Sequence, residues 1–351
     1  MREESTINIA GRLIGVDRPP YIVAEMSGNH GGNLDRALKI IKAAKEAGAD
    51  AVKLQTYRAD SITIDYDGPE FKIEKGLWAG RTLFELYGEA ATPWDWHEDL
   101  FLYGRDIGIT VFSSPFDNAA VQLLSDLDAP AYKISSFEIV DLPLITRVAS
   151  LGKPIIISTG MASSLEIKEA VDTSTEAGAS EIALLHCVSA YPTDPKDSHL
   201  RVIEQIRNEY KLVSGLSDHT LGNSTSIAAV ALGASIIEKH FTLDRSEGGS
   251  DVAFSLEPDE LKSLVEETRL TWEAMGNEII GTLPAESESK RFRRSLYAVA
   301  DIRKGMVISE NQIRSIRPAN GLPPKYLPDV LGRVAKSDIS RGTPISWELL
   351  E

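Results

Sequence analysis

The sequence predicts an α/β chain: a (β/α)8 TIM barrel followed by a small C-terminal β-rich domain. Three observations predict it. Strand-like and helix-like segments alternate eight times over roughly the first 275 residues, the size of a closed barrel. Gly48, Gly108, Gly152, Gly178 and Gly233 stand where successive helical patterns end, as the C-terminal cap preference requires. Three of the six histidines, His186 in ALLHC, His219 in GLSDHT and His240 in IIEKHFT, close short apolar runs, and strand ends are where such a barrel keeps its chemistry.

The eight predicted strands are residues 21–26, 49–56, 110–115, 131–136, 154–160, 181–187, 212–219 and 234–242, each a short apolar run with β-branched content. Helical patterns intervene. LDRALKIIKAAKEAG follows the first strand with apolar residues at three- and four-residue spacing, and SSLEIKEAVDTSTEAG follows the fifth. In TPWDWHED, Thr92 is an N-cap and Pro93 the first helical residue, so Trp94, Trp96 and His97 are expected to pack at the edge of an insert. A doubly wound open sheet is the competing architecture, but no GxGxxG turn follows the first strand. Residues 1–276 are therefore assigned to the barrel. The polar stretch GNEIIGTLPAESESKRFRRS contains the linker, 277–292, and the Gly- and Pro-broken alternation of 293–351 is the β-rich domain. A unit of that size buries only a modest core, so it is expected to lean on its own barrel or on a partner's.

Composition excludes several functions. The 351 residues contain one Cys, which rules out an intramolecular disulfide and points to a reducing compartment, the cytoplasm. MREESTINIA is no signal peptide, and no stretch reaches the roughly 18 apolar residues of a membrane helix, so no membrane is expected. A formal net charge of −15 argues against nucleic acid as a partner. It leaves room for a small anionic substrate in a cleft that concentrates cations.

The predicted strand ends carry such a cleft. Glu25, Lys53, Gln55, Ser113, Ser114, Lys133, Ser135, Ser136, Ser158, Ser217, Asp218 and His219 all converge there. A phosphate needs cations and short donors, and Lys53, Lys133, Ser114, Ser136, Ser158 and Ser217 supply that set. The bland alternative is that the lysines merely pair with Glu25 and Glu138. His219 and His240 end neighbouring strands, and two neutral imidazoles would leave a metal ion open positions for substrate. His186 has no such partner and is read as site-lining or structural. Cys187 beside it is not expected to be a nucleophile, because strand neighbours face opposite ways.

EMSGNHGG, AVKLQTY, FSSPFD, AYKISSFE, IIISTGM, LLHCVSAYPT, GLSDHT, IEKHFT and IRPANG, in this order and spanning almost the whole chain, resemble the sialic acid synthase family. That family condenses phosphoenolpyruvate with an aminosugar to give a nonulosonic acid. The insert LWAGRTLFELYGEAATPWDWH looks most like the branch that makes pseudaminic acid, whose acceptor is 2,4-diacetamido-2,4,6-trideoxy-L-altrose. The resemblance implies a barrel followed by an antifreeze-like (SAF) domain, in a domain-swapped homodimer where the small domain reaches the partner's site. It also implies a divalent ion held by His219 and His240, Mn2+ foremost, with Mg2+ or Co2+ as alternatives.

Further roles follow from the same resemblance. Glu138 matches the family acid of proton transfer, Glu25 the carboxylate that contacts the acceptor, and Lys53 joins them as a catalytic group. Gln55, Ser189, Tyr191, Asp251 and Arg317 match sugar-contacting positions. Where sialic acid synthases carry CTNIYPT, this chain has CVSAYPT, so Ser189 replaces an Asn while Tyr191 is kept. N-acetylneuraminate or legionaminic acid synthesis is the nearest alternative. A Schiff-base aldolase using Lys53 or Lys133 and a non-catalytic carbohydrate-binding protein are the alternatives of other classes.

Overall fold

The computed structural model describes residues 5–276 and 280–351. The first four residues of the predicted barrel range and residues 277–279 of the predicted linker lie outside them. The chain divides into two compact units, Met1–Gly276 and Asn277–Glu351.

A hairpin that the sequence reading did not foresee opens the first unit: β1 (Ile7–Ile9) pairs antiparallel with β2 (Arg12–Ile14). Strands of three residues carry too little period to be recognised. Eight parallel strands then close a barrel: β3 (Tyr21–Glu25), β4 (Ala51–Thr56), β5 (Thr110–Pro115), β6 (Tyr132–Ile134), β7 (Ile155–Ser158), β8 (Ile182–Cys187), β9 (Val213–Asp218) and β10 (Ile236–His240), with β10 hydrogen-bonded back to β3. The five helix-end glycines all adopt left-handed backbone, with φ between 66° and 103°.

The two-residue period of the strands separates two cores. Outward residues such as Ile22, Val52, Ile134, Ile157, Leu184 and Ile237 pack under the helices. Inward residues Val23, Ala51, Phe112, Ile156, Leu185 and Ile236 fill the barrel, and Ile7, Ile9 and Ile14 of the hairpin join them as a plug. Continuing the inward register toward the C-terminal ends brings up Glu25, Lys53, Ser114, Lys133, Ser158, Ser217 and Glu238. The interior thus passes from aliphatic to charged within one strand length.

Several predicted strands are shorter in the structure. Ser135 and Ser136 have left β6, and Ser136–Glu138 forms a 3-10 turn. His219 follows β9 by one residue, whereas His240 ends β10. In the second unit, β11 (Ser295–Ala298) pairs antiparallel with β12 (Ile313–Ile316) over a small core that includes Leu296, Ile302, Ile313, Val330, Ile339 and Ile345.

Candidate active site

The C-terminal mouth has a floor of buried charge. Lys53 Nζ lies 2.7 Å from Glu25 Oε2 and 3.4 Å from Glu238 Oε1, with all three side chains almost fully buried. Burial alone would lower the pKa of the Lys53 ammonium. Glu238 and Glu25 outweigh it, and its pKa is raised. Burial pushes the Glu25 carboxyl up, whereas at Glu238 it is overcome by Lys133, Lys53 and His219, which hold that carboxylate below its ordinary range. Lys133 is lowered by burial; its ammonium donates to Ser158 Oγ at 2.7 Å and to the Ile134 carbonyl at 3.0 Å.

Hydroxyls complete this floor. Lys53 donates to Ser114 Oγ at 3.4 Å, Ser135 donates to the same Oγ at 3.2 Å, and Ser217 donates to Glu238 at 3.2 Å. Ser136 Oγ accepts from the Gly160 amide at 3.1 Å. A Cβ on Gly160 would meet Ser189 Oγ at 2.4 Å and Ser136 Oγ at 2.7 Å, so only glycine lets these two serines approach the end of β7. Glu138 follows in the 3-10 turn. Burial pushes its carboxyl up to about 7, and its Oε2 is buried without a partner.

The two imidazoles stand beside the floor with ring centroids 5.4 Å apart. His219 Nδ1 lies 3.0 Å from the Val188 carbonyl, which can only accept, so Nδ1 carries a proton and Nε2 is the nitrogen left to bind a metal; burial lowers the pKa of the ring, but Cys187 and the Val188 carbonyl outweigh it. His240 is held well below its ordinary pKa by burial, with His219 and Lys53 adding to it. Its Nδ1 is buried with no hydrogen-bond partner. Two imidazoles, one with an orphaned nitrogen, are a donor set that fits an open divalent-metal site when both rings are deprotonated. Among the described residues no group of three or more His, Cys, Asp or Glu side chains encloses a metal ion by itself.

Asp251 lies near the pair, its Oδ2 3.8 Å from His240 Nδ1. Ser27 joins two buried carboxylates: its hydroxyl donates to Asp251, and its amide donates to Glu25 Oε1 at 2.9 Å. It does so from left-handed backbone, φ 45°, which costs a non-glycine residue about 1–3 kcal/mol and is found where surrounding structure imposes it. Gln55 Nε2 also donates to Glu25 Oε1, at 3.1 Å. A Cβ on neighbouring Gly28 would meet Ser250 Oγ at 2.5 Å, so only glycine lets the loop after β3 come this close to Ser250.

An aromatic wall stands against the two imidazoles. The Tyr191 ring is 4.5 Å from His219 and 5.4 Å from Phe254, and Phe254 is 4.8 Å from His240. Trp78, from the insert between β4 and β5, continues it at 5.7 Å from Tyr191.

Of the residues singled out from sequence, three do not face this mouth. Ser113 hydrogen-bonds Thr56, which in turn contacts His97, behind the barrel wall. Asp218 faces outward and is buried in an ion pair with Lys239 at 2.9 Å, with Ser226 and Thr220 as further donors. His186 points the same way and contacts the Ser198 carbonyl. Strand alternation explains all three, since each is one residue out of the inward register. Cys187, in register, lies 3.9 Å from His219 Nδ1 and from Ser189 Oγ. Arg317 is exposed in the second unit, just after β12. Sequence reasoning missed Glu238, Ser27 and Trp78. The inward register of IIEKHFT held the signal for Glu238, whereas Ser27 and Trp78 act through loops that no period describes.

Comparison with known proteins accords with this geometry. Residues 40–280 match the NeuB family model and residues 293–351 match the SAF domain. The chain belongs to the NeuB family. It is 43% identical over 326 residues to the pseudaminic acid synthase of Campylobacter jejuni strain 81-176, covering 93% of this chain and 95% of that protein. It is 42% identical to the pseudaminic acid synthase of Helicobacter pylori, covering 95% and 98%. The crystal structure of the N-acetylneuraminic acid synthetase of Leptospira borgpetersenii, a complex with citrate, superposes with a TM-score of 0.74 at 32% identity, over 82% of this chain and 95% of that one. NeuB membership accounts for the motifs spread along the chain.

Proposed function

We propose that this chain is an enzyme that condenses phosphoenolpyruvate with 2,4-diacetamido-2,4,6-trideoxy-L-altrose to give pseudaminic acid and phosphate. The observation that carries the acceptor is the 42–43% identity to two pseudaminic acid synthases over 93–95% of the chain. The aromatic wall and Ser189 suit a less polar sugar than N-acetylmannosamine.

Lys53, Lys133, Ser114, Ser136, Ser158 and Ser217 bind the phosphate and carboxylate of phosphoenolpyruvate. His219 and His240 hold a divalent ion, for which Mn2+ is the first choice; such an ion polarises the acceptor's aldehyde when bound. Glu25, held by Ser27 and Gln55, orients the acceptor together with Asp251, Ser189 and Tyr191. The C2–C3 π electrons of phosphoenolpyruvate form the new bond from C3 to the aldehyde carbon. Glu138, protonated up to about pH 7, gives its proton to the aldehyde oxygen. Water adds at C2 and returns a proton to the Glu138 carboxylate. The bond from C2 to the bridging oxygen then breaks as the C2 hydroxyl passes its proton to the departing phosphate, leaving the ketone and inorganic phosphate.

The second half of the reading concerns assembly. Phe137, Val140, Met161, Leu165 and Leu221 are exposed on segments that follow β6, β7 and β9. An exposed apolar rim supports a homodimer in which the partner's SAF domain brings Arg317 to the mouth. The single cysteine, free in the structure, supports a cytoplasmic setting. Among the described residues, no helix is long and apolar enough to cross a membrane.

The test is phosphate release with two acceptors. N-acetylmannosamine would strand a C6 hydroxyl on apolar surface and leave partners of the second amide unpaired, at roughly 1–3 kcal/mol each. Discrimination of about a hundredfold for the diacetamido sugar is expected. A preference for N-acetylmannosamine overturns the acceptor assignment. Label in the bridging oxygen of phosphoenolpyruvate is expected in phosphate, and label kept in the sugar acid would overturn the condensation itself.

A further inference from the structure

We propose that Trp78 is a specificity-determining residue that selects for a 6-deoxy acceptor. The inference rests on the reading of the reaction given above and names the group that enforces its sugar preference.

Aromatic rings run unbroken from the histidine pair to the insert. Phe254 lies 4.8 Å from His240, Tyr191 lies 4.5 Å from His219, and Trp78 lies 5.7 Å beyond Tyr191 at an interplanar angle of 54°. Trp78 is held there by its own indole, whose Nε1 donates to the Ser250 carbonyl at 2.8 Å. That bond uses the only polar group of the side chain. What the half-buried ring offers to the mouth is therefore apolar surface.

The orientation of the sugar follows from the two ends of the site. Its aldehyde carbon has to lie by the imidazoles, because the carbonyl is polarised there. Lys53, Glu25 and Glu238 form the charged floor beside the imidazoles, so phosphoenolpyruvate lies over that floor and the sugar over the aromatic wall. C6, five carbon–carbon bonds from C1, then extends along the aromatic wall toward Trp78. A methyl group gains from that surface. A hydroxymethyl group loses water against that ring, and the indole N–H cannot compensate it because it is already bonded to the Ser250 carbonyl.

The experiment compares wild type with W78A and W78F on two sugars that differ only at C6, the trideoxy acceptor and its 6-hydroxy analogue, with N-acetylmannosamine as a third. Wild type is expected to favour the methyl sugar over the hydroxymethyl analogue by about tenfold or more in kcat/KM. W78A is expected to bring that ratio close to one while the KM for phosphoenolpyruvate stays unchanged. W78F keeps the apolar surface without the Ser250 bond, and most of the preference should survive. A ratio that W78A and W78F both leave at the wild-type value overturns the role of Trp78, and so does an equal loss on both C6 partners. If wild type itself prefers N-acetylmannosamine, the acceptor assignment falls and this proposal with it. That result is distinct from a wild type that selects the diacetamido sugar but ignores C6, which overturns Trp78 alone.

Discussion

Glu25, Lys53, Lys133 and Glu238 stand on strands whose backbone is locked by neighbours on both sides, whereas Trp78, Tyr191 and Phe254 come from the insert after β4, the loop after β8 and the loop after β10. The first set is charged and almost fully buried, and each member needs a partner at a fixed distance because an unpaired charge in a dry barrel is costly. The second is apolar and meets its neighbours by surface contact, which tolerates change in length and angle. The contrast separates two tasks. In the proposed reaction the strand-borne charges serve phosphoenolpyruvate, with Glu25 reaching to the sugar as well, and the loops serve the choice of sugar.

The largest effect that tests this division is expected from the histidine pair. H219A, H240A or a chelator should abolish phosphate release with every acceptor, and Mn2+ should restore the chelated wild type while the thermal midpoint of the variants changes little. Full activity in excess chelator would break the comparison, since the charged floor would then suffice without a metal.

Replacement of Glu138 comes next. Burial holds its carboxyl at about 7, so the proton is present below that pH and is lost as pH rises through it. The wild-type kcat should therefore fall on that side. E138Q should lose on the order of 10²–10⁴ in kcat with either sugar and no longer show that limb. A variant that kept the limb would take Glu138 out of proton transfer.

The smallest of these effects belongs to Ser27, which joins strand and loop. S27A keeps the amide that serves Glu25 but removes the hydroxyl that serves Asp251. The KM for the sugar should rise about tenfold, the worth of one hydrogen bond to a charged group, and the KM for phosphoenolpyruvate should stay put. An equal rise in both would mean that Ser27 supports the barrel as a whole.

Much of the floor was legible beforehand. Apolar runs ending in Lys, Ser or His at eight regular stations announce barrel strands, and the inward set of Lys53, Ser114, Lys133, Ser158 and Ser217 follows from their ends. Ser113 and Asp218 were placed in the mouth because a strand end was read as a point, whereas each strand alternates faces. The same alternation marks Glu238, two residues before His240, as inward, which a reading of the strand's last residue alone passes over. Trp78 was visible only as part of an insert, because nothing in LWAGRTL says which distant carbonyl its indole reaches.

What the sequence determined by itself is therefore periodic or chemical: the (β/α)8 order, the glycine stops with their left-handed backbone, the stock of cations, hydroxyls and imidazoles, and the change of character near residue 277. These follow from local sterics and from a two- or 3.6-residue repeat, which a linear chain displays directly. Only the tertiary structure decided which member of each adjacent pair faces the mouth, that Glu238 rather than Glu138 braces Lys53, that Ser27 spans to Asp251 and that Trp78 extends the wall. Those relations join residues more than a hundred positions apart, or turn on a single step of register. They are set by closure of the barrel and by how loops pack over it, and no local propensity encodes either.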